Sequence, residues 1–213
     1  MITAFDKKTA TGGNRRERKK EDTKLKIINV ALRLFQGQSF DVTTMEQIAD
    51  EADIAKGTLY NYFPVKEAII SEYWQNSVDE LKPQAAKLIQ SLPDTKARLN
   101  SLFKKTAEFL KAHQDITNAY IRYRMQGMGN CERNKSLRSG FEGILVSIIS
   151  TGQKAGDIRQ DINAEQLARY LEMMYLLVCL MWLSGPDMFP LEKNLKQMVD
   201  LFLSGAKSNR EAK

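Results

Sequence analysis

Cysteine and histidine are scarce in this chain of 213 residues, which contains two cysteines and one histidine. Cys131 and Cys179 are far apart and follow no metal-ligand or redox spacing, and His113 lies in no array of metal-binding side chains. This pattern argues against a zinc site and favours a reducing compartment. The chain also has no nucleophile–base pairing, phosphate-cradling glycine loop or dinucleotide motif. We therefore expect no enzyme activity, no cofactor and no bound metal.

Proline and long apolar runs are also scarce. The longest apolar run, Met173–Leu183, is well short of the roughly 20 residues needed to cross a bilayer. The N-terminal residues "MITAFDKK" lack the apolar segment of a secretion signal. With five prolines and no β-branched alternation, apolar residues recur at helical spacing almost throughout. The sequence therefore predicts an all-α, soluble, cytoplasmic protein that has no membrane partner.

Basic residues are concentrated before the first apolar helix, in a chain with a formal net charge of +6. They are Lys7, Lys8, Arg15, Arg16, Arg18, Lys19, Lys20, Lys24 and Lys26. Gly12 and Gly13 favour mobility, so we expect residues 1–20 to form a basic, flexible arm. Two interpretations of this arm remain open: a solvated tail, or an arm that contacts DNA phosphates.

Three short helices are expected near the N-terminus. The first is predicted from about Glu21 to Gln36, and "TTMEQIADEA" begins a second one. Two pairs fit the capping box of this second helix, namely Thr43 with Glu46 or Thr44 with Gln47. A third helix of about two turns should end near Phe63, and Pro64 suits the start of a fourth. Residues 21–68 are thus predicted to form a helix-turn-helix domain.

Longer helices follow and predict a second domain at residues 69–206, with a flexible tail at 207–213. The boundary falls within the fourth helix, which should be kinked at Pro83. Further helices are expected at about Asp94–Ala112, Asp115–Met125, Lys135–Ala155, Ala164–Ser184 and Leu191–Ser204. The fold class predicted is therefore a three-helix DNA-binding domain followed by a helical bundle for ligand binding and dimerisation.

The segment "DIAKGTLYNYFPVKEAI" combines core residues with many exposed polar groups. Two short helices joined by a tight turn can place the second helix in a major groove. Leu59 and Phe63 suit the small core, whereas the outer faces carry Lys56, Gly57, Thr58, Tyr60, Asn61 and Tyr62. Hydroxyl groups and lysines bond phosphate oxygens, and a glycine permits close backbone approach. A purely structural helical hairpin would explain the core residues but not this polar set.

The stretch "TTMEQIADEADIAKGTLYNYFPVKEAI" closely resembles the DNA-binding motif of the tetracycline-repressor (TetR/AcrR) family, over about Asp22 to Trp74. The resemblance implies a homodimeric, usually repressing regulator that binds a palindromic operator in double-stranded DNA and leaves it when a small molecule binds. By position, Lys56, Gly57, Thr58, Tyr60 and Asn61 match the recognition helix, and Thr44, Tyr62 and Lys66 match phosphate-contacting positions.

The motif departs from the family pattern at two helix starts. Where the family commonly has a glycine followed by a serine cap, this chain has Asp53 and Ala55. Val65 occupies the position at which Ser, Asn or Asp often caps the fourth helix. Since a missing cap typically costs about 1 kcal/mol, we expect reduced local rigidity.

The stretch "RYLEMMYLLVCLMWL" is apolar on every face, so it must be surrounded by its own domain and by a partner subunit. The last helix adds a second apolar stripe. In the resembled family the final two helices form a four-helix dimer interface. The predicted dimer contacts are Leu176, Leu180, Leu195, Met198, Val199 and Phe202.

Methionine and aromatic residues could line an adaptable pocket for an apolar or amphipathic effector of unknown identity. The predicted pocket residues are Tyr120, Tyr123, Met125, Met128, Met174 and Trp182. The alternative is that they are ordinary core residues. Arg122 and Arg124 could receive an anionic headgroup or could belong to a solvated face, and Glu142 or Glu172 could receive a cation.

The predicted function is a ligand-responsive transcriptional repressor. Two other classes remain open. One is a helix-turn-helix protein without small-molecule control, and the other is a helical lipid or ligand carrier with a vestigial DNA-binding motif. Binding that falls steeply with salt would favour a true DNA-binding protein over the carrier, because phosphate contacts release counterions.

Overall fold

The computed structural model describes residues 14–127 and 140–206. These residues are helical with no β-strand, which confirms the predicted all-α class. They form nine helices: α1 (Arg15–Gln38), α2 (Met45–Glu51), α3 (Lys56–Tyr62), α4 (Lys66–Ser91), α5 (Thr95–Ala112), α6 (Gln114–Gly127), α7 (Gly140–Ala155), α8 (Ala164–Ser184) and α9 (Leu191–Ala206). Predictions for the first part of the arm, for Met128 and Cys131, and for the tail at 207–213 lie outside the described residues.

Helix α1 begins earlier than its apolar stripe indicates. Its first turn is stabilised by the Glu17 carboxylate, which accepts a hydrogen bond from the backbone N–H of Asn14 at 3.1 Å. Residues 15–20 are therefore helical, although they were predicted to belong to a flexible arm. Apolar periodicity marks only the buried part of a helix, and these residues are all exposed.

The chain divides into two compact units, and both α4 and α6 contribute residues to each of them. Of the described residues, the N-terminal unit comprises 14–74 together with Asp115–Tyr123, and the C-terminal unit comprises Gln75–Gln114, 124–127 and 140–206. Helix α4 is continuous through Pro83. The expected boundary at residues 68 and 69 therefore lies inside α4, a few residues before the end of the first unit.

The core of the N-terminal unit is formed by the inner faces of its short helices. Fully buried side chains from α1 and α2 meet Leu59 of α3 and Phe63, which has 3% of its surface exposed. In the turn between α2 and α3, the Ile54 N–H donates to the Ala49 carbonyl at 3.1 Å. The ring of Trp74 stacks on Tyr120 with centroids 4.9 Å apart, which holds the α6 segment in this unit.

The C-terminal unit is built around α5, α7, α8 and α9. Phe103 of α5 stacks on Tyr175 of α8 at a centroid distance of 5.3 Å, and Phe141 of α7 completes the aromatic cluster. Among the described residues, α8 alone is long and apolar enough to cross a membrane. A buried core helix satisfies the same criterion, and one face of α8 packs against α7 and α9.

Candidate nucleic-acid interface

Helix α2 begins at a capping box that settles the choice between the two predicted pairs. The Thr44 hydroxyl accepts from the Gln47 N–H at 3.2 Å, and the Gln47 side-chain oxygen accepts from the Thr44 N–H at 2.9 Å. Thr43 is instead buried, and its hydroxyl donates to the Ser39 carbonyl at 2.8 Å. Thr44 is exposed at the start of α2, so its position is compatible with the predicted phosphate contact.

Helix α3 presents the predicted recognition residues on one outer surface. Its inner position, Leu59, is completely buried, and this fixes which side of the helix faces away from the core. Lys56, Gly57, Tyr60 and Asn61 are exposed, whereas Thr58 and Tyr62 are half-buried. We call the six residues Lys56, Gly57, Thr58, Tyr60, Asn61 and Tyr62 the α3 recognition surface.

Two members of the recognition surface have no packing role that would explain their identity. Tyr60 leaves 46% of its surface exposed, although a tyrosine ring is a large apolar group. A Cβ atom added to Gly57 would have no neighbour within 4 Å, so packing within the chain does not require a glycine there. Both features suit a surface that is covered by another molecule, because close backbone approach and aromatic contact then become useful.

The first of the two departures from the family motif, at the start of α3, has visible local consequences. Asp53 takes a positive φ of 49°, a left-handed conformation that favours glycine, at the point where the chain turns from α2 into α3. Ala55 occupies the N-cap of α3 and makes no side-chain hydrogen bond to the helix. The start of α3 therefore lacks the cap that a Ser or Asp would supply, as the sequence predicted.

Lys66 has a different environment from the one its predicted phosphate contact implies. Its ammonium donates to the carbonyls of Phe40 at 2.7 Å, Asp41 at 3.1 Å and Thr43 at 3.0 Å. An ammonium has three donors, and all three are directed at the loop before α2. In this arrangement Lys66 holds the loop that carries the Thr44 cap, and it has no donor left for DNA.

The predicted pocket residues do not gather in one compact unit. Tyr120 and Tyr123 belong to the N-terminal unit, whereas Met125, Met174 and Trp182 belong to the C-terminal unit. Tyr120 and Trp182 are buried, with 8% and 4% of their surfaces exposed. Met125 is exposed. The pocket assignment therefore stays a prediction.

The predicted dimer contacts are mostly in the core of their own unit. Five of them, Leu176, Leu195, Met198, Val199 and Phe202, have at most 8% of their surfaces exposed, and Leu180 is half-buried. The apolar side chains that α8 and α9 leave exposed are different ones: Tyr170, Met173, Leu177 and Leu201. Sequence periodicity missed this set because α8 is apolar all round, and no contrast in hydrophobicity indicates which side faces the core.

Two charged residues named from the sequence pair with each other. Arg124 donates from Nη2 to the Glu172 carboxylate at 2.9 Å, and the two side chains are only 10% and 9% exposed. Arg122 is instead exposed and bonds Asn118 at 2.9 Å. Glu172 is therefore already neutralised by Arg124, which removes the uncompensated charge that would attract a cationic effector.

Cys179 is a buried thiol rather than a reactive one. It lies on the inner side of α8 with none of its surface exposed. Burial raises the pKa of this thiol to about 12, although a hydrogen bond with Tyr175 acts in the opposite direction. The nucleophilic thiolate is therefore suppressed at neutral pH.

A known protein family matches the region of the chain that contains the α3 recognition surface. The family model of the bacterial regulatory proteins, tetR family, matches residues 27–73. This range contains the second half of α1, the whole of α2 and α3, and the start of α4. It therefore includes every member of the α3 recognition surface.

Relatives and solved structures extend the similarity to most of the chain. The HTH-type transcriptional repressor KstR2 of Rhodococcus jostii is 26% identical over 192 residues, which are 89% of this chain and 93% of the relative. The structure of the Thermus thermophilus TetR-family repressor FadR, in complex with lauroyl-CoA, has a TM-score of 0.74 and 24% identity, and the match covers 85% of this chain and 94% of that one. FadR of Bacillus subtilis in complex with stearoyl-CoA has a TM-score of 0.64 and 19% identity, over 85% and 98% of the two chains.

Proposed function

Because the chain belongs to the TetR family of bacterial transcriptional regulators, we propose that it is a ligand-responsive repressor that binds a palindromic operator as a homodimer. The observation that carries this proposal is the α3 recognition surface, which stands on a buried Leu59 and has exposed polar groups on its outer side. The N-terminal unit reads DNA, and the C-terminal unit provides dimerisation and effector binding. The protein acts in the cytoplasm as a regulator and not as an enzyme.

The proposed contacts with DNA are of two kinds: phosphate contacts, which position the protein on the duplex, and base contacts, which recognise the sequence. Lys56 and the hydroxyl groups of Tyr60 and Tyr62 suit phosphate oxygens, which fix the register of the helix on the duplex. Asn61 and Thr58 can bond base edges once α3 lies in the major groove. Gly57 allows the helix backbone to approach closely, because it adds no side chain at the surface.

Dimerisation uses the exposed apolar face of α8 and α9. Tyr170, Met173 and Leu177 recur at helical spacing and leave 50%, 40% and 53% of their surfaces exposed, and Leu201 of α9 leaves 68%. Exposed apolar side chains at helical spacing on α8 are typical of an interaction site, and a second copy of the chain can cover them through two-fold symmetry. The dimer then presents two α3 helices, whose half-sites lie one helical turn of DNA, or a multiple of it, apart.

The effector is an amphipathic small molecule, and acyl-CoA thioesters are the first class to test. FadR from two bacteria was crystallised with lauroyl-CoA and stearoyl-CoA, and both structures share the fold of this chain. Release from DNA requires that the effector bind more tightly to a state whose α3 spacing does not fit the operator. Because α4 runs without a break from Lys66 to Ser91, a shift of this helix would alter that spacing.

The direct test is capture of fragmented genomic DNA from the source organism on the purified protein, followed by sequencing. We expect an enriched inverted repeat whose recovery falls steeply as salt rises, because phosphate contacts release counterions. A protein unfolded and refolded without small molecules is captured in parallel, so that a bound effector does not mask the result. If neither preparation enriches any sequence at low salt, the proposed function is wrong and the carrier interpretation is favoured.

The alternative without small-molecule control is tested on the same preparation. A repressor released by an effector must be stabilised by at least one compound that also removes it from the captured DNA. We therefore expect a positive shift in melting temperature in a broad screen of metabolites. DNA binding with no stabilising compound would identify a helix-turn-helix protein that is controlled by other means.

A further inference from the structure

A groove with a volume of about 620 Å³ lies within the C-terminal unit, between the second half of α4, the start of α5 and α7. Its apolar wall contains Ala85, Ala86, Ile89 and Ile144. Its volume is within the range of small-molecule sites, and apolar walls with a few polar groups are typical of such sites. Of the predicted pocket residues, none of those that the structure describes lines it.

Arg98 lines this groove and is an unusual residue for such a wall. It leaves only 9% of its surface exposed, although it lies on the first turns of α5. Its Nε and Nη2 donate to the Leu92 carbonyl at 3.2 and 2.9 Å, just after the end of α4. Its Nη1 is shielded from solvent and has no hydrogen-bond partner within residues 14–127 and 140–206. This arginine therefore stabilises the turn between α4 and α5 with only part of its donor set.

The charge of Arg98 is also uncompensated in the described part of the chain, where no carboxylate forms an ion pair with it. A buried guanidinium is costly unless an anion accompanies it. The groove lining contains no acidic side chain, and its second cation, Lys82, is already paired with the Asp79 carboxylate at 2.6 Å, so the unpaired charge is that of Arg98. The remaining polar groups of the lining are uncharged. An anion that accepts from Nη1 would supply both the missing charge and the missing acceptor.

We propose that this groove is the effector site of the repressor and that it binds an amphipathic anion. The apolar part of the ligand lies along Ala85, Ala86, Ile89 and Ile144, and its carboxylate or phosphate accepts hydrogen bonds from Arg98. The Arg98 side chain already forms part of the groove wall, and its unpartnered Nη1 has to turn toward the groove for the anion to accept from it. This inference rests on the proposed function, since it gives that function its ligand class and its binding site.

The test uses the full-length protein and titration calorimetry with matched probes. The probes are dodecanoate, palmitate, their coenzyme A thioesters and dodecanol, which has an apolar chain but no charge. Arg98→Gln removes the charge and keeps a donor for the Leu92 carbonyl. Gly143→Leu fills the groove, because Gly143 lines it and a Cβ there has no neighbour within 4 Å. Lys105→Gln is the control for loss of a positive charge, because Lys105 is exposed on α5 and does not line the groove.

We expect the wild-type protein to bind at least one anionic probe roughly ten-fold or more tightly than dodecanol, since charge-assisted hydrogen bonds discriminate at that level. Arg98→Gln should lose that preference, and Lys105→Gln should keep it. Gly143→Leu should weaken all probes, and it should fold well because leucine is a better helix former than glycine. Binding of fatty acids alone would indicate a carboxylate ligand, and binding of thioesters alone would indicate the phosphates of coenzyme A.

Two results would overturn the proposal. One is wild-type affinity in both Arg98→Gln and Gly143→Leu, and the other is a wild-type protein that binds none of the probes. If Arg98→Gln does not fold, as circular dichroism would reveal, Gly143→Leu decides alone. Retention of operator DNA by the wild-type protein is measured separately. If DNA is retained and the groove variants bind normally, only the site assignment is wrong; if no DNA is retained, the proposed function itself is wrong.

Discussion

The ammonium of Lys66 lies 2.7 Å from the carbonyl oxygen of Phe40 and 4.3 Å from the centre of the Phe40 ring. This contact joins the first residue of α4 to the loop before α2. Two more carbonyls of the same loop accept from the ammonium, and the loop leads directly into the Thr44 cap. A residue that the family motif assigns to DNA thus stabilises the element that carries another predicted DNA contact.

Replacing Lys66 with Met, which keeps the apolar stem but removes the donors, should lower the free energy of unfolding by about 1–3 kcal/mol, because the loop carbonyls lose a charged donor. DNA affinity should fall as well, since the α2 start is no longer held. Urea denaturation and DNA binding are measured on the same preparation. Loss of DNA affinity with wild-type stability would instead identify a direct phosphate contact.

Replacement of Tyr60 should lower DNA affinity without lowering the stability of the protein. Tyr60→Phe removes only the hydroxyl group, and Tyr60→Ala removes the ring as well. We expect DNA affinity to fall by about 0.5–1.5 kcal/mol for the loss of one hydrogen bond, and further for the loss of the ring. The free energy of unfolding should change by less than about 0.5 kcal/mol, as it does for most substitutions at surface sites. Met188→Ala is the control, because Met188 is 79% exposed in the C-terminal unit; equal affinity in all variants would remove Tyr60 from the interface.

The uncapped start of α3 offers a stabilising substitution. Ala55→Ser places a hydroxyl at the N-cap and should raise the free energy of unfolding by about 1 kcal/mol. Ala112→Ser is a matched control, because Ala112 is the exposed last residue of α5 and its hydroxyl cannot cap a helix N-terminus. Denaturant midpoints give the comparison. A gain of the same size in both variants would mean that capping is not the cause.

The exposed face of α8 is tested through the oligomeric state. If α8 forms the proposed dimer interface, Leu177→Glu should convert the dimer to a monomer, because a buried glutamate without a partner is strongly unfavourable at an apolar interface. Met188→Glu introduces the same charge at a more exposed residue outside α8 and α9 and should leave the dimer intact. Light scattering coupled to gel filtration gives the masses. A dimeric Leu177→Glu protein would place the interface elsewhere.

Cys179 should resist alkylation in the folded protein. The test uses a Cys131→Ser variant, in which Cys179 is the only thiol. Because burial raises the pKa of Cys179 to about 12, iodoacetamide should react at neutral pH only after urea unfolds the chain. The raised pKa also makes stability depend on pH. The contribution of the buried neutral thiol to the free energy of unfolding is fully present below the pKa of an unfolded thiol, and it is lost as pH rises towards about 12. Rapid labelling in native buffer would contradict this burial.

The composition and the helical periodicity were sufficient for the fold class, because amphipathic spacing is a local property of the chain. The recognition surface could be named for the same reason. In a helix of seven residues, a fully buried Leu59 leaves a definite set of positions on the outer side. The missing cap at Ala55 was also visible in the sequence, since capping depends on neighbouring residues alone.

Other features depend on residues that are distant in sequence and could not be predicted in this way. The Lys66 ammonium donates hydrogen bonds to backbone carbonyls more than twenty residues before it in the sequence. The exposed side of α8 is set by α7 and α9, since its own residues are apolar on all sides. Arginine is usually a surface residue. Arg98 is buried because of its position beside residues of α4 and α7, which are distant from it in sequence or belong to other helices. Local patterning thus decides which helices form and which polar groups they carry, whereas packing between helices decides which of those groups are buried, paired or left open to a ligand.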